Sequence, residues 1–208
     1  MKMTVRFIII LTLAFIVSSC GFKQPPPMTI DTDSAVPGTT VSRKGQSLLL
    51  VGSGIEVGQP LPATALVDAA TMQTVDLHGY KGSVLFLSIV PSIDTKVCEA
   101  QTHLLGEEGD QLPESIKRIT ISRDTPFAQE RFAGEAKLKD LQYLSDYKEG
   151  AFGRSVGLLM DGPRLLARSV ILVDKQGIVR YIQVVPDVTH LPDMERAFTK
   201  AMELDALP

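Results

Sequence analysis

Apolar positions fall into short runs and periodic stretches that divide most of the chain into alternating strands and helices. Ser83 to Val90 (SVLFLSIV) is almost wholly apolar, which suits a strand buried on both faces of a sheet and makes it the best central-strand candidate. Ahead of it, Ser47 to Val51 is a short apolar run closed by Gly52-Ser53-Gly54, and Ala63 to Val67 and Gln73 to Leu77 read as further strands. Behind it, Cys98 to about Gly109 fits a helix, Ile116 to Ser122 (IKRITIS) alternates at period two, and Pro126 to about Lys137 fits a helix with proline in its first turn. A short strand near Leu141 to Leu144 and a brief helix around Ala151 to Val156 follow. Ser169 to Val173 and Ile178 to Val185 flank the turn Asp174-Lys175-Gln176-Gly177 and read as a hairpin. Leu191 to Ala206 closes the chain as an amphipathic helix opened by Pro192-Asp193, with Met194, Ala197, Phe198, Ala201, Met202 and Leu204 expected on its buried side.

This order of elements is α/β. A central mixed β-sheet flanked by helices and ending in a hairpin is the thioredoxin-like arrangement, here with an N-terminal β-hairpin extension in front. No internal repeat or low-complexity run interrupts it, so one domain over residues 41–208 is the economical reading.

The first forty residues are patterned differently. An apolar stretch, Phe7 to Val17, broken only by Thr12, follows Lys2 and Arg6 and leads into small residues. It falls short of the roughly 20 residues that span a bilayer, while a charged start, a short apolar centre and a small-residue end fit an export signal. The alternative is a short anchor helix that is retained. Val17-Ser18-Ser19-Cys20 resembles the lipobox of bacterial lipoproteins, in which the signal is cut before the cysteine and the sulfur is joined to a diacylglycerol. The expectation is a lipoprotein signal peptide over 1–19, then a lipidated Cys20 and a flexible Pro-rich tether over 20–40. The domain would be exported and lipid-anchored to a bacterial membrane, facing the periplasm or the cell exterior.

Composition narrows the function. At 208 residues and 44% apolar content, disorder of the whole chain is excluded. With 21 basic against 24 acidic residues and no Lys/Arg-rich block, there is no electrostatic footprint for nucleic acid. Two cysteines, Cys20 and Cys98, form neither a disulfide framework nor a cysteine-rich zinc site. His78, His103 and His190 share no ligand spacing, so no metal is expected.

Cys98 follows the apolar strand by the loop Pro91-Ser92-Ile93-Asp94-Thr95-Lys96-Val97 and sits where a helix begins. Free backbone N–H groups and the positive end of the helix dipole favour thiolate there, and the thiolate is the nucleophile. Thr95 is near enough in sequence to bring a hydroxyl beside the sulfur, and Pro91 fixes the chain as it leaves the strand. A buried structural thiol is the competing reading of a lone cysteine. Glu99, directly after the sulfur, is expected to face water.

The surrounding residues decide between these readings. Pro91-x-x-x-Thr95-x-x-Cys98 matches the active-site signature of peroxiredoxins, and Pro91-Ser92-Ile93-Asp94-Thr95-x-Val97-Cys98 resembles the thiol peroxidase branch of that family. Ile121-Ser122-x-Asp124-x-Pro126-Phe127-Ala128-Gln129-x-Arg131-Phe132 is similar to the branch's second segment. Asp161-Gly162-Pro163, with Ala167-Arg168-Ser169-Val170 and Asp174, is similar to its third. The resemblance implies that Cys98 is the peroxidatic nucleophile, attacking a hydroperoxide to give a sulfenic acid. It also implies that Thr95 hydrogen-bonds sulfur and peroxide, that Arg168 stabilises the thiolate and the departing oxygen, and that Pro91 shields the pocket. No cofactor is implied. Arg164 is the near decoy for Arg168, and Arg131 is expected beside the site but not in the chemistry. Family members often pair as homodimers through the face near the active-site helix, and the resemblance carries that expectation here.

One departure changes the expected cycle. Most members of the branch carry a resolving cysteine directly after the Arg-Phe pair of the second segment, and here that place is Ala133. The implied activity is therefore a one-cysteine peroxidase for hydrogen peroxide or small organic hydroperoxides. Its sulfenic acid is reduced by an external thiol, either a thioredoxin-like protein or a small molecule. The alternative is a redox sensor or surface-binding lipoprotein that keeps the fold without turnover.

Overall fold

The structure, a computed structural model, describes residues 27–208; the expected signal peptide over 1–19 and the expected lipidation site Cys20 lie outside the described residues. The strands and helices run β1 (Ile30–Asp31), β2 (Thr40–Arg43), β3 (Gln46–Val51), β4 (Ala65–Asp68), β5 (Thr74–Asp76), β6 (Leu85–Ile89), α1 (Lys96–Glu107), β7 (Lys117–Ser122) and α2 (Pro126–Ala136). They continue as β8 (Leu141–Ser145), α3 (Ala151–Ser155), β9 (Leu159–Met160), β10 (Ser169–Val173), β11 (Val179–Val184), β12 (Leu191–Pro192) and α4 (Met194–Asp205). Seven strands form the central sheet in the order β11-β10-β6-β7-β8-β4-β5. The β6-β7-β8 centre is parallel and both flanks are antiparallel, so the sheet is mixed as expected.

The period-two geometry of β6 explains how the sheet is covered. Leu85, Leu87 and Ile89 join one core with Ile119, Ile121, Leu144 and Phe152. Phe86 faces the other way, into a second core with Leu105 of α1 and Met194, Ala197, Phe198 and Ala201 of α4. A strand buried on both sides needs apolar residues at nearly every position, which is what the run from 83 to 90 supplies. Helix α2 is delimited by local chemistry: the Thr125 side chain accepts from the Ala128 N–H, Pro126 sits in the first turn, and Lys137 ends the helix in the left-handed region at φ 52°. The front hairpin is β2–β3, turned by Lys44 and Gly45 at φ 52° and 83°, and β9 joins it in a separate three-stranded sheet.

Three expectations are corrected. Leu191 does not open the last helix: Leu191 and Pro192 pair in parallel with β1, and the helix starts at Met194 behind an Asp193 side chain that accepts from Arg196 N–H. Met202, expected on the buried side of that helix, is 44% exposed. The segment expected to be a flexible tether as far as residue 40 is bonded to the domain from Ile30 onward. Its main chain pairs with β12 and with the end of β11, through Leu191 N–H to Thr29 O at 2.8 Å and Ala35 N–H to Val184 O at 2.8 Å. Main-chain pairing of this kind leaves no apolar periodicity for a sequence to display.

Buried carboxylates make the fold acid-sensitive. Burial pushes Asp174 up, but N–H donors from Ile178 and Gln176 and the Arg180 guanidinium outweigh it, and the carboxyl lies below its ordinary 3.8. Asp68 and Asp187 are likewise lowered: burial opposes the shift, and Gln142 with Thr71, and Thr189 with Lys44, outweigh it. A carboxyl held below its unfolded value supplies stability that is complete above that value and is lost as pH falls through the folded one. Asp146 has the opposite sign, because burial wins over the N–H groups of Gly153 and Phe152. Through the three lowered carboxyls the thermal midpoint is expected to fall as pH drops from about 5 to about 3, with Asp146 opposing that loss. A flat profile in calorimetry over that window would contradict the assignment.

Candidate active site

The site forms where β6 and β7 end. Pro91 takes the chain out of β6, and the following loop is tied down by Asp124, which follows β7. The Asp124 carboxylate accepts from Ser92 Oγ at 2.8 Å, Ile93 N–H at 2.8 Å and Ser122 Oγ at 2.7 Å. Helix α1 then begins at Lys96, with the Thr95 carbonyl accepting from Glu99 N–H at 2.8 Å. Cys98 is the helix's third residue and is completely buried, in a small apolar cluster with Val90 and Ile93 against which Ala128 and Phe132 of α2 pack. A groove of about 360 Å³ between α1 and α2 shares Ile93 and Phe132 with that cluster and continues past Thr95, Glu99 and His103.

Arg168, the residue before β10, reaches the sulfur from the neighbouring strand. Only 2% exposed, it extends Nη2 to 3.2 Å from Cys98 Sγ. Its other donors are fixed: Nε on Val188 O at 3.0 Å, and Nη1 on Gln101 Oε1 at 2.8 Å and on Val97 O at 3.4 Å. Gln101, one helical turn after Cys98, is held in turn by donating Nε2 to Ser88 Oγ at 2.8 Å. None of the guanidinium's four acceptors is a carboxylate, so its full charge is directed at the sulfur in a site closed to water. A forked, permanently charged donor in such surroundings stabilises negative charge on sulfur and on any oxygen that departs beside it.

The structure thus brings Cys98 and Arg168 into contact, with Pro91 at the mouth of the loop. Thr95 lies at the helix start as expected but is exposed, and its hydroxyl makes no hydrogen bond among the described residues. Glu99 faces solvent, Arg164 is exposed, and Arg131 forms a surface ion pair with Asp94 at 3.2 Å. His78, His103 and His190 lie beside Leu61 O, Glu107 and Asp31 respectively. Sequence reasoning missed Gln101 and Ser88, and gave Asp124, which belongs to the second segment of the resemblance, no role. Ser88 carried a signal, as a polar residue inside an otherwise apolar strand, and Gln101 sits three positions after the cysteine, on the same helix face.

Residues 56–198, which include both Cys98 and Arg168, match the Redoxin family. The chain is 36% identical over 162 residues to a thiol peroxidase of Halalkalibacterium halodurans, covering 78% of this chain and 96% of that one. It is 39% identical over 163 residues to a thiol peroxidase of Listeria innocua, covering 78% and 98%. Among solved structures it resembles a peroxiredoxin-like protein from Aquifex aeolicus, with a TM-score of 0.76 at 32% identity over 82% of this chain and 99% of that one. The α/β fold is therefore the thioredoxin-like fold of peroxiredoxins, and the chain belongs to the Redoxin family, among its thiol peroxidases.

Proposed function

We propose that this thiol peroxidase works by a one-cysteine cycle centred on Cys98. The Cys98 thiolate attacks the nearer oxygen of a hydroperoxide; the S–O bond forms as the O–O bond breaks, and the departing oxygen leaves as water or an alcohol after taking up a proton. Arg168 stabilises the charge as it moves from sulfur to the leaving oxygen, Thr95 orients the peroxide when the pocket opens, and Pro91 shields it. An external thiol then attacks the sulfenic sulfur and expels water, and a second thiol releases the resulting mixed disulfide. The observation that carries this reading is the 3.2 Å approach of the Arg168 guanidinium to Cys98 Sγ. Ala133, at the place where the branch keeps its resolving cysteine, supports the external step.

The same reading includes a lipid on Cys20 that holds the domain at a bacterial membrane, facing the periplasm or exterior, and pairing of two copies near α1. A redox sensor without turnover is the second reading, favoured by the complete burial of Cys98. Peroxide consumption separates the two. With dithiothreitol or a thioredoxin-like protein, the wild-type chain is expected to consume many equivalents of peroxide, and Cys98→Ser none. A single equivalent consumed, whatever the reductant, would support the sensor and overturn the cycle.

A further inference from the structure

We infer that the N-terminal strap over residues 30–44 is a positioning element for the reaction, acting on Arg168 through the loop over residues 186–190. The inference rests on the role proposed for Cys98 and Arg168. The coupling runs through one residue. Val188 accepts the Arg168 Nε–H at 3.0 Å with its carbonyl, while its own N–H donates to Ser42 O of the strap at 2.9 Å.

The rest of the loop is tied to the same strap. Ser42 N–H donates to Pro186 O at 2.7 Å. The Asp187 carboxylate accepts from Lys44 N–H at 3.1 Å and Ser42 Oγ at 3.2 Å, while its other oxygen accepts from Thr189 N–H at 2.9 Å and Thr189 Oγ1 at 2.7 Å. At the far end, Asp31 Oδ2 meets His190 Nδ1 at 3.1 Å, and Gln183 Nε2 donates to Asp31 O at 2.7 Å. Among the described residues no carboxylate orients the guanidinium; its direction is set by three oxygen acceptors, of which the Val188 carbonyl is the one held by the strap. The strap lies ahead of residues 56–198, the stretch that matches the Redoxin family.

Asp187 is the side chain that takes the largest share of these bonds, four of them. In the full-length chain, Asp187→Ala is expected to lower the second-order rate of Cys98 oxidation by hydrogen peroxide about tenfold, as displacement of a positioned charge does. Asp187→Asn, which keeps a carbonyl acceptor, should recover part of the loss. A merely structural residue would lower the thermal midpoint and leave the rate of the folded fraction unchanged. A residue acting through Arg168 has no further effect once Arg168 is gone, so Asp187→Ala in an Arg168→Met background should change the rate less than about twofold. If Asp187→Ala does not fold, Asp31→Ala reads the same coupling from the strap's other end, with an expected loss of about threefold that also vanishes in the Arg168→Met background. Single-variant rates equal to wild type, or the same loss with and without Arg168, would overturn the inference. An Arg168→Met rate equal to wild type would instead overturn the reading of the site on which it rests.

Discussion

Replacing Arg168 with methionine is expected to lower the rate at which hydrogen peroxide oxidises Cys98 about 10²- to 10³-fold, the scale found when one preorganised donor to a developing charge is removed. The expectation follows from the surroundings of the guanidinium. It is buried, points Nη2 at the sulfur, and is held by two backbone carbonyls and one amide oxygen in addition to that contact. Methionine fills similar space without donors, so Gln101 Oε1 and the Val188 carbonyl lose their partner at a cost of about 1–3 kcal/mol each. The variant should therefore melt earlier, and its rate must be read well below the new midpoint. Arg168→Lys keeps the charge but not the fork, and is expected to fall between the two. Rates are read by quenching with a sulfenic-acid reagent and measuring the Cys98 peptide by mass spectrometry. An Arg168→Met rate within about twofold of wild type would remove the arginine from the chemistry.

The second large effect concerns the fate of the sulfenic acid. Cys98 is the one free cysteine among the described residues, and position 133 holds alanine. Without a reductant, excess peroxide should therefore carry Cys98 to the sulfinic acid, with two added oxygens on its peptide and activity that thiols do not restore. Ala133→Cys supplies a thiol at the place used by the branch, on the helix whose preceding residue, Phe132, packs against the Cys98 cluster. In that variant the same treatment should give an intramolecular disulfide that dithiothreitol reverses, leaving most of the activity intact. If the wild-type chain survives excess peroxide unharmed, or if Ala133→Cys is inactivated as fully as wild type, the one-cysteine account of its vulnerability fails.

Much of the fold was legible because burial on both faces of β6 and the alternation along β7 write themselves into residue type. The start of α2 was equally plain, marked by Pro126 in its first turn, whereas its Thr125 cap was not. What was not legible is held by groups that carry no periodic signal. The strap from Ile30 pairs through its main chain, in a stretch rich in Pro, Thr, Ser and Asp that reads as loop. Leu191 was drawn into the last helix by its apolar side chain, whereas its backbone pairs with Ile30. At the site, Cys98 stands out by its place at a helix start, but its role and its pairing with Arg168 come through a resemblance, since 70 positions separate residues that meet at 3.2 Å. Gln101 and Asp124 act by hydrogen bonds to loop and strand ends, and only the finished fold shows which donors they reach.

The most direct test is the rate of the first step in the unaltered chain. Reacted with one equivalent of hydrogen peroxide and trapped as it forms, the Cys98 sulfenic acid is expected to appear orders of magnitude faster than on free cysteine in the same buffer, and to be absent from Cys98→Ser. A Cys98 that oxidises no faster than free cysteine would contradict the claim that this buried thiol, with Arg168 against it, is the peroxidatic centre.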